Sequence, residues 1–252
     1  MLTLVTRPAA QAAEWVQQLQ THGIDALALP LIGIAPVEAP AALVAAWHAL
    51  AQQRLVVFVS PNAAQQFFAQ RPMGAAWPEG VFAGSPGPGT TRVLQGLGVP
   101  AAQIIEPAAD APQFDSESLW LALATHDWRG ARVLIVRGDG GRDWLADTLR
   151  RHGAQVAHLA AYRRTAPQLD DAERALLQQA IAAPAAHLWF FSSSEAVANL
   201  GALAAHADWQ RAHAIATHPR IAASARQLGL GSVAEARPAL ADVIACIQSI
   251  QP

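Results

Sequence analysis

The sequence predicts two α/β lobes, each a parallel sheet with helices on both faces. Two observations carry that prediction. Apolar, strand-like runs alternate with segments of helical spacing through short loops, a pattern that buries a parallel sheet on both sides. The alternation also occurs twice, the second copy about 130 residues after the first. At 252 residues the chain is long enough for two domains.

The first copy opens with Leu2 to Arg7, a short β-branched run. Helical spacing follows from Ala9 to Gln20 (Ala12, Trp15, Val16, Leu19), stopped by His22-Gly23, with a second strand at Ile24 to Leu29. The same sequence of events recurs in the second copy. Val133 to Val136 reads as a strand, Arg137-Gly-Asp-Gly-Gly141 as a loop, Arg142 to Arg151 as a helix stopped by His152-Gly153, and Ala154 to Leu159 as a strand. A shift of 130 aligns Leu4 with Leu134, Arg7 with Arg137, Leu19 with Leu149 and His22-Gly23 with His152-Gly153.

Two further pairs repeat. Leu55 to Ser60 with the helix after it matches Leu188 to Ser193 with the helix after it, at a shift of 133. Each strand ends in serine, a residue that caps the helix behind it. Gly87-Pro-Gly-Thr-Thr91 falls on His218-Pro-Arg-Ile-Ala222 at a shift of 131, which places a small insertion near Ser85-Pro86. Proline-rich breaks at Pro36–Pro40, Pro107–Pro112 and Pro167 separate the units. Ligands of open parallel sheets bind at the carboxyl ends of the strands. The loops there are Thr6–Pro8, Ser60–Asn62, Gly84–Thr91, Arg137–Gly141, Ser192–Glu195 and Thr217–Arg220.

Composition narrows the chemistry. The net charge of −2 gives no global field for nucleic acid or an anionic membrane. The single cysteine, Cys246, excludes an intramolecular disulfide and reads as a buried bystander. All 17 basic residues are arginine, so Schiff-base chemistry and a P-loop lysine are excluded. Anions are left to the arginine fork and to backbone amides. The amino terminus has no signal-peptide pattern and no stretch is long and apolar enough to span a membrane, so the chain reads as cytoplasmic.

Each candidate motif has a plain structural reading beside its chemical one. Arg137 to Gly141 lacks the full dinucleotide spacing, so a glycine turn that lets a helix start close to the sheet stands against an anion cradle. Ser85 to Thr91 is either a kinked turn capped by Thr90 or Thr91 or a ligand-contacting loop. Ser60 and Ser192 to Ser194 contain no nucleophile elbow; they cap helices, and the amides behind them suit a carboxylate. The histidine spacing fits no metal site, and His218 alone falls in a strand-end loop. Tyr162, the only tyrosine, is followed by Arg163 and Arg164 where the chain leaves the second copy's strand. It is either a packing aromatic or a phenol able to donate a proton to a leaving group.

Taken in order, Val5-Thr-Arg-Pro8, Phe58-Val-Ser-Pro-Asn-Ala63, Gly87-Pro-Gly-Thr90, Asp115-Ser-Glu-Ser-Leu119, Val133 to Gly138, Ala161-Tyr-Arg-Arg164, Phe191-Ser-Ser-Ser194 and His218 to Ala222 resemble the uroporphyrinogen-III synthase family across essentially the whole chain. The resemblance implies two similar flavodoxin-like lobes joined by a two-stranded linker. It pairs residues 1–33 with 167–252 in one lobe and gives 38–160 to the other. The crossings are then 29–37 and 158–167, with the cleft against Tyr162. A tandem reading of the repeat would instead cut the chain once near its middle.

The implied reaction uses no cofactor and no metal. Hydroxymethylbilane, a linear tetrapyrrole with eight carboxylates handed on by the preceding enzyme, loses its terminal hydroxyl to give an azafulvene cation. The substituted α-carbon of ring D attacks, and a spiro intermediate fragments and recloses with ring D inverted. The protein holds the chain folded for that attack and assists departure of hydroxide as water. The resemblance gives the second role to Tyr162. It gives substrate contact to Thr90. The strand-end positions, rather than the resemblance, make Arg7, Arg137, Arg163, Ser60, Asn62, Gly138, Ser193, Ser194 and His218 the expected contacts for the carboxylates. The threonine commonly present in the family's second repeat is here Ile221, which leaves the contacts around His218 open. A monomer without nucleic-acid or membrane partners is expected. The competing reading is a non-catalytic, hinge-closing binder of a small polycarboxylate. A nucleotide-dependent enzyme stands further off.

Overall fold

The computed structural model describes residues 1–38 and 40–250. Ala39, inside the proline-bounded break at 36–40, and the last two residues lie outside the described residues. The chain divides into two compact units, Met1–Ile34 with Thr165–Pro252, and Ala35–Arg164.

The first unit is built on β1 (Leu2–Val5), β2 (Ala26–Ala28), β9 (His187–Phe191), β10 (His213–Ala216) and β11 (Ser232–Glu235). They lie in the order β11-β10-β9-β1-β2, with neighbours running parallel. Period-two alternation splits the apolar residues between its faces. Leu4, Trp189, Phe191, Ala214 and Ala216 share a core with α7 (Asp171–Ala182), α8 (Ser194–Leu203) and α9 (Pro219–Leu228). Val5, Leu188, Phe190 and Ile215 face α1 (Ala9–Thr21) and α10 (Leu240–Ile250). Such strands, buried on both sides, are continuously apolar, as His187-Leu-Trp-Phe-Phe191 nearly is.

The second unit uses β4 (Leu55–Phe58), β5 (Phe82–Gly84), β6 (Ile104–Ile105), β7 (Arg132–Gly138) and β8 (Gln155–Thr165) in the order β8-β7-β4-β5-β6. A short β3 (Gly33–Pro36) lies outside β8. Leu55, Val57, Val133 and Ile135 pack on α5 (Ser116–Leu123) and α6 (Trp144–Arg151). Phe58 meets an aromatic cluster of Trp47, Phe67, Phe68 and Trp77. Helix α2 (Ala41–His48) supplies Trp47, and α3 (Pro61–Phe68) supplies the other two phenylalanines.

The two sheets repeat each other register for register. Leu4 pairs with Leu27 and Leu134 with Ala157; Thr3 pairs with Leu188 and Val133 with Leu55; Leu188 pairs with His213 and Leu55 with Phe82. Yet, the outer β3 aside, each sheet takes two strands from one copy and three from the other. Numbered by copy, both run 2-1-3-4-5, the flavodoxin-like order. Even the helix stops repeat. His22 Nδ1 lies 2.8 Å from the carbonyl of Gln18 and His152 Nδ1 2.9 Å from that of Thr148, with Gly23 and Gly153 behind them at φ of 74° and 86°.

Several boundaries differ from the sequence expectation. The strand expected at Ile24–Leu29 is three residues long, and α6 starts at Trp144 rather than Arg142. In front of it Arg142 forks onto Glu117 and Asp143 bonds Arg137. The strand expected to stop at Leu159 continues to Thr165 and carries Tyr162 with it. Helix α4 (Pro88–Gly96) is preceded by Gly87 with no side-chain cap, so neither Thr90 nor Thr91 caps it. Gly87 is there for space: a Cβ would stand 2.7 Å from Cβ of Phe114.

Candidate active site

In each sheet the strand order reverses direction at one junction, and the crevice outside the carboxyl ends of the strands there is where such folds bind ligands. The junction is β7/β4 in the second unit and β1/β9 in the first.

At β7/β4 three expected residues, Ser60, Gly138 and Tyr162, come together. Ser60 follows β4 and caps α3, its Oγ accepting from the amide of Ala63 at 3.2 Å. The same Oγ lies 3.2 Å from the Tyr162 hydroxyl, a contact across 102 residues. Gly138 ends β7 opposite Tyr162, at a register shift that skips one residue of β8. The tyrosine ring lies against it so closely that a Cβ on Gly138 would stand 3.1 Å from Cε2 and Cζ. The Asp139 amide then donates to the Tyr162 carbonyl at 3.0 Å. Tyr162 is 1% exposed, whereas Ser60 is half-buried. Asn62 lies in the first turn of α3.

Arg137, at the same end of β7, donates to Asp143 Oδ1 at 2.7 Å, and His158 Nε2 lies 3.6 Å from that oxygen. The guanidinium holds the Asp143 carboxyl below the usual carboxylate range. Burial, and then the charge of Arg137, push His158 below the usual imidazole value. The grouping of these three is outside the sequence expectation; only the pairing of β7 with β8, which sets His158 opposite Ile135, brings it near a loop carboxylate.

Thr90 is buried in α4. Its neighbour Thr91 makes the polar contacts of that turn, 2.9 Å to Ser85 Oγ and 2.6 Å to Glu106 Oε2. Glu106 follows β6, and its counterpart after β10 and α9 is Glu235 at the end of β11, which meets Arg226 at 3.2 Å. Both acids lie outside the sequence expectation, because a single carboxylate after a short apolar pair carries no local signal.

Arg163, the residue after Tyr162 on β8, meets Glu38 at 3.0 Å on the surface. An exposed pair of that kind is worth little and is readily exchanged.

At β1/β9 Arg7 follows β1 and Ser193 follows the paired strand β9. Thr6 Oγ1 donates to the Phe190 carbonyl at 2.8 Å, tying the two strand ends together. The Arg7 guanidinium lies 4.8 Å from the centre of the Trp15 ring and 5.6 Å from that of Phe190, with Nη1 3.5 Å from Gln11 Oε1. Loss of hydration there lowers its pKa to about 10, partly offset by the charge of Glu14, and it stays a cation at neutral pH. Ser193 caps α8, accepting from the Glu195 amide at 3.2 Å, with Ser194 as the first helical residue. On the next strand His218 caps α9 through Nδ1, 3.1 Å from the Arg220 amide, and Ile221 is buried behind it. Among the described residues no group of three or more His, Cys, Asp or Glu is placed to hold a metal ion, and no helix is long and apolar enough to cross a membrane.

Residues 13–245 match the family model described as uroporphyrinogen-III synthase HemD. The chain belongs to the uroporphyrinogen-III synthase family. Relatives of that name include one from Escherichia coli K12, 34% identical over 185 residues, which are 71% of this chain and 72% of the relative. Another, from Synechococcus elongatus, is 30% identical over 216 residues, 82% of this chain and 76% of the relative. The fold is also that of solved structures. One is a mutant uroporphyrinogen III synthase from Thermus thermophilus (TM-score 0.58, 17% identity, 99% of this chain and 98% of that one). Another is uroporphyrinogen-III synthetase from Helicobacter pylori 26695 (TM-score 0.57, 15% identity, all of both chains). The chain is therefore an enzyme of the synthase family, a cofactor-independent cyclising lyase of tetrapyrrole and haem biosynthesis.

Proposed function

We propose that this chain cyclises hydroxymethylbilane with inversion of ring D through a spiro intermediate, and that Tyr162 supplies the proton with which the terminal hydroxyl leaves as water. One observation carries the assignment to Tyr162. The only phenol of the chain lies at the junction where the second sheet reverses direction, against a glycine and a helix-capping serine. Carboxylates of the substrate are taken by Arg7, Ser193, Ser194 and His218 on the first unit. On the second they are taken by Ser60, Asn62, Thr90, Arg137, Gly138 and Arg163. Arg163 and Arg137 exchange Glu38 and Asp143 for substrate carboxylates; Arg7, held by aromatic rings and Gln11, offers its charge directly. With eight carboxylates to meet a protein of net charge −2, such local cations are required.

In this reading residues 1–33 with 167–252 and residues 38–160 are the two lobes, and 29–37 and 158–167 are the crossings. The enzyme works as a cytoplasmic monomer that receives its substrate from the preceding enzyme of the pathway, with no nucleic-acid or membrane partner. A non-catalytic polycarboxylate binder would share the lobes and the capped loops, but it does not account for membership of a family of synthases.

The test is to add the purified protein to freshly made hydroxymethylbilane, oxidise the product and separate the porphyrin isomers. Mainly type III is expected; type I alone, as in buffer, overturns the reading.

A further inference from the structure

Tyr162 is buried and Ser60 is not. A phenol enclosed to that degree is poorly placed to touch a substrate hydroxyl itself, and its hydrogen bond shows where its proton goes. The partner of the Tyr162 hydroxyl is Ser60 Oγ. Were the serine the donor, the phenolic hydrogen would stand unpaired in a place closed to water, an arrangement buried polar groups avoid. The phenol therefore donates and Ser60 accepts.

That direction fixes the rest of the serine. A hydroxyl has two acceptor positions and one hydrogen. The Ala63 amide and the Tyr162 phenol then fill the two acceptor positions, which leaves the Ser60 hydrogen for a third partner such as a bound substrate.

We infer that Ser60, rather than Tyr162, touches the departing hydroxyl, and that it relays the phenol's proton. This deepens the proposed role of Tyr162 and rests on it. In the first step the Ser60 hydrogen passes to the substrate hydroxyl. The carbon–oxygen bond breaks with its electron pair going to oxygen, and water leaves from the azafulvene cation. Ser60 Oγ takes the Tyr162 proton in the same movement and ends as a neutral hydroxyl beside a phenolate. The positive end of α3, which Ser60 caps, favours that negative charge. When the pyrrole that has closed the macrocycle loses the proton of its attacking α-carbon and regains its own aromaticity, the relay runs backwards and the phenol is restored. Protons balance over the cycle without any further reagent.

The first unit provides an internal reference for the idea. Ser193 caps its helix as Ser60 does, but 130 residues before Tyr162 stands Ile32, and 130 before Gly138 stands Pro8. The serine there has no phenol behind it, so capping alone does not explain the arrangement at Ser60.

The experiment measures kcat and KM for type III formation, with spontaneous type I closure as the reference in each tube. It uses the parent, Tyr162→Phe, Ser60→Ala, Ser60→Gly, Ser60→Thr and the Tyr162→Phe/Ser60→Ala pair. Melting temperatures monitor the fold, and Ser60→Gly, tolerated as a cap, serves if the alanine variant is unstable. A relay predicts that Ser60→Ala or Ser60→Gly loses kcat by the same factor as Tyr162→Phe, about 100-fold or more, with little change in KM. The double variant falls no further than either single one, because the two groups act as a unit. Ser60→Thr, which keeps the hydroxyl, recovers most of the loss. In mixtures of light and heavy water the parent rate bends with deuterium content, as two protons in flight require.

Three outcomes overturn the inference. If the serine variants keep kcat within about threefold while Tyr162→Phe collapses, the phenol acts directly and its proposed role survives. If the losses multiply in the double variant, the two residues act independently. If Tyr162→Phe itself turns over normally, the leaving-group role fails and the relay with it.

Discussion

The two sheet junctions are the same piece of architecture used twice, and they differ in what fills it. Both place an arginine at the end of the central strand and a capping serine at the end of its neighbour: Arg137 and Ser60 in one unit, Arg7 and Ser193 in the other. The second unit adds Tyr162 over Gly138 and ties its arginine to Asp143. The first puts Ile32 and Pro8 at the corresponding sequence positions and sets its arginine against the Trp15 and Phe190 rings. Ile32 lies in the apolar core of its unit. The difference shows how a duplicated scaffold becomes asymmetric: one copy keeps the phenol and the glycine that makes room for it, and the other closes the position with packing. In the proposed mechanism acid chemistry belongs to one junction, and both offer an arginine and a capping serine to an anion.

The largest effects should follow from disturbing the asymmetric group. Tyr162→Phe should lower type III formation about 100-fold or more while the fold persists. Gly138→Val should approach the same loss, since even one added carbon stands 3.1 Å from the ring. Full activity in Gly138→Val would show that the ring's placement is not what the glycine protects.

Next come the helix stops. Gly23 and Gly153 share a left-handed conformation, but a Cβ on Gly23 meets nothing within 4 Å, whereas on Gly153 it stands 3.1 Å from Cα of Arg129. Gly23→Ala should cost about 1 kcal/mol from the backbone alone, and Gly153→Ala about 1 kcal/mol more for displacing that backbone. Urea unfolding, followed separately for the two units where their transitions separate, checks the difference. Equal losses would mean the second clash relaxes freely.

The capping serines should be alike in stability and unlike in kinetics. Ser60→Ala and Ser193→Ala should each cost about 1 kcal/mol for the lost cap. Only Ser60→Ala should act through kcat; Ser193→Ala should act through KM, as expected of a residue that binds without reacting. A kcat effect of similar size in Ser193→Ala would erase the distinction between the junctions.

The smallest effect concerns pH. Asp143 and His158 both have folded pKa values below their ordinary ones. For such groups stability is present above the unfolded pKa and is lost as pH falls through the folded value. The second unit should therefore weaken slightly in two windows, below about pH 6.5 through His158 and below about pH 4 through Asp143. The first unit has Ala28 and Ala13 at the corresponding positions and lacks both steps. Titration of the His158 ring by NMR should place its midpoint below about 6.5, and a midpoint above that would reverse the sign.

Much of this is legible from residues close together in the chain. Gly23 and Gly153 mark their helix ends, Ser60 and Ser193 their caps, and the repeat offsets match the strand registers. Threonine capping of α4 is the exception, because Thr91, one of the two threonines the stretch offers, is used on Ser85 and Glu106 instead. The Arg137–Asp143–His158 group and the two strand-end glutamates are not visible in the sequence. Their partners are set by which strands lie side by side, and local patterning does not encode that.

By itself the sequence determined most of the strands and helices, the stops and most of the caps between them, the duplication, and an inventory without lysine and with a single phenol. Those follow from hydrophobic period, backbone freedom at glycine and the inventory of side chains, all local properties. Tertiary structure decided which half of one copy completes which half of the other, and with it the meeting of Ser60 and Tyr162. The physical reason lies in the sheets. The two copies pair in the same registers, so β4 and β9 present equivalent apolar edges to β1 and β7, and a hydrophobic pattern fits either partner equally well.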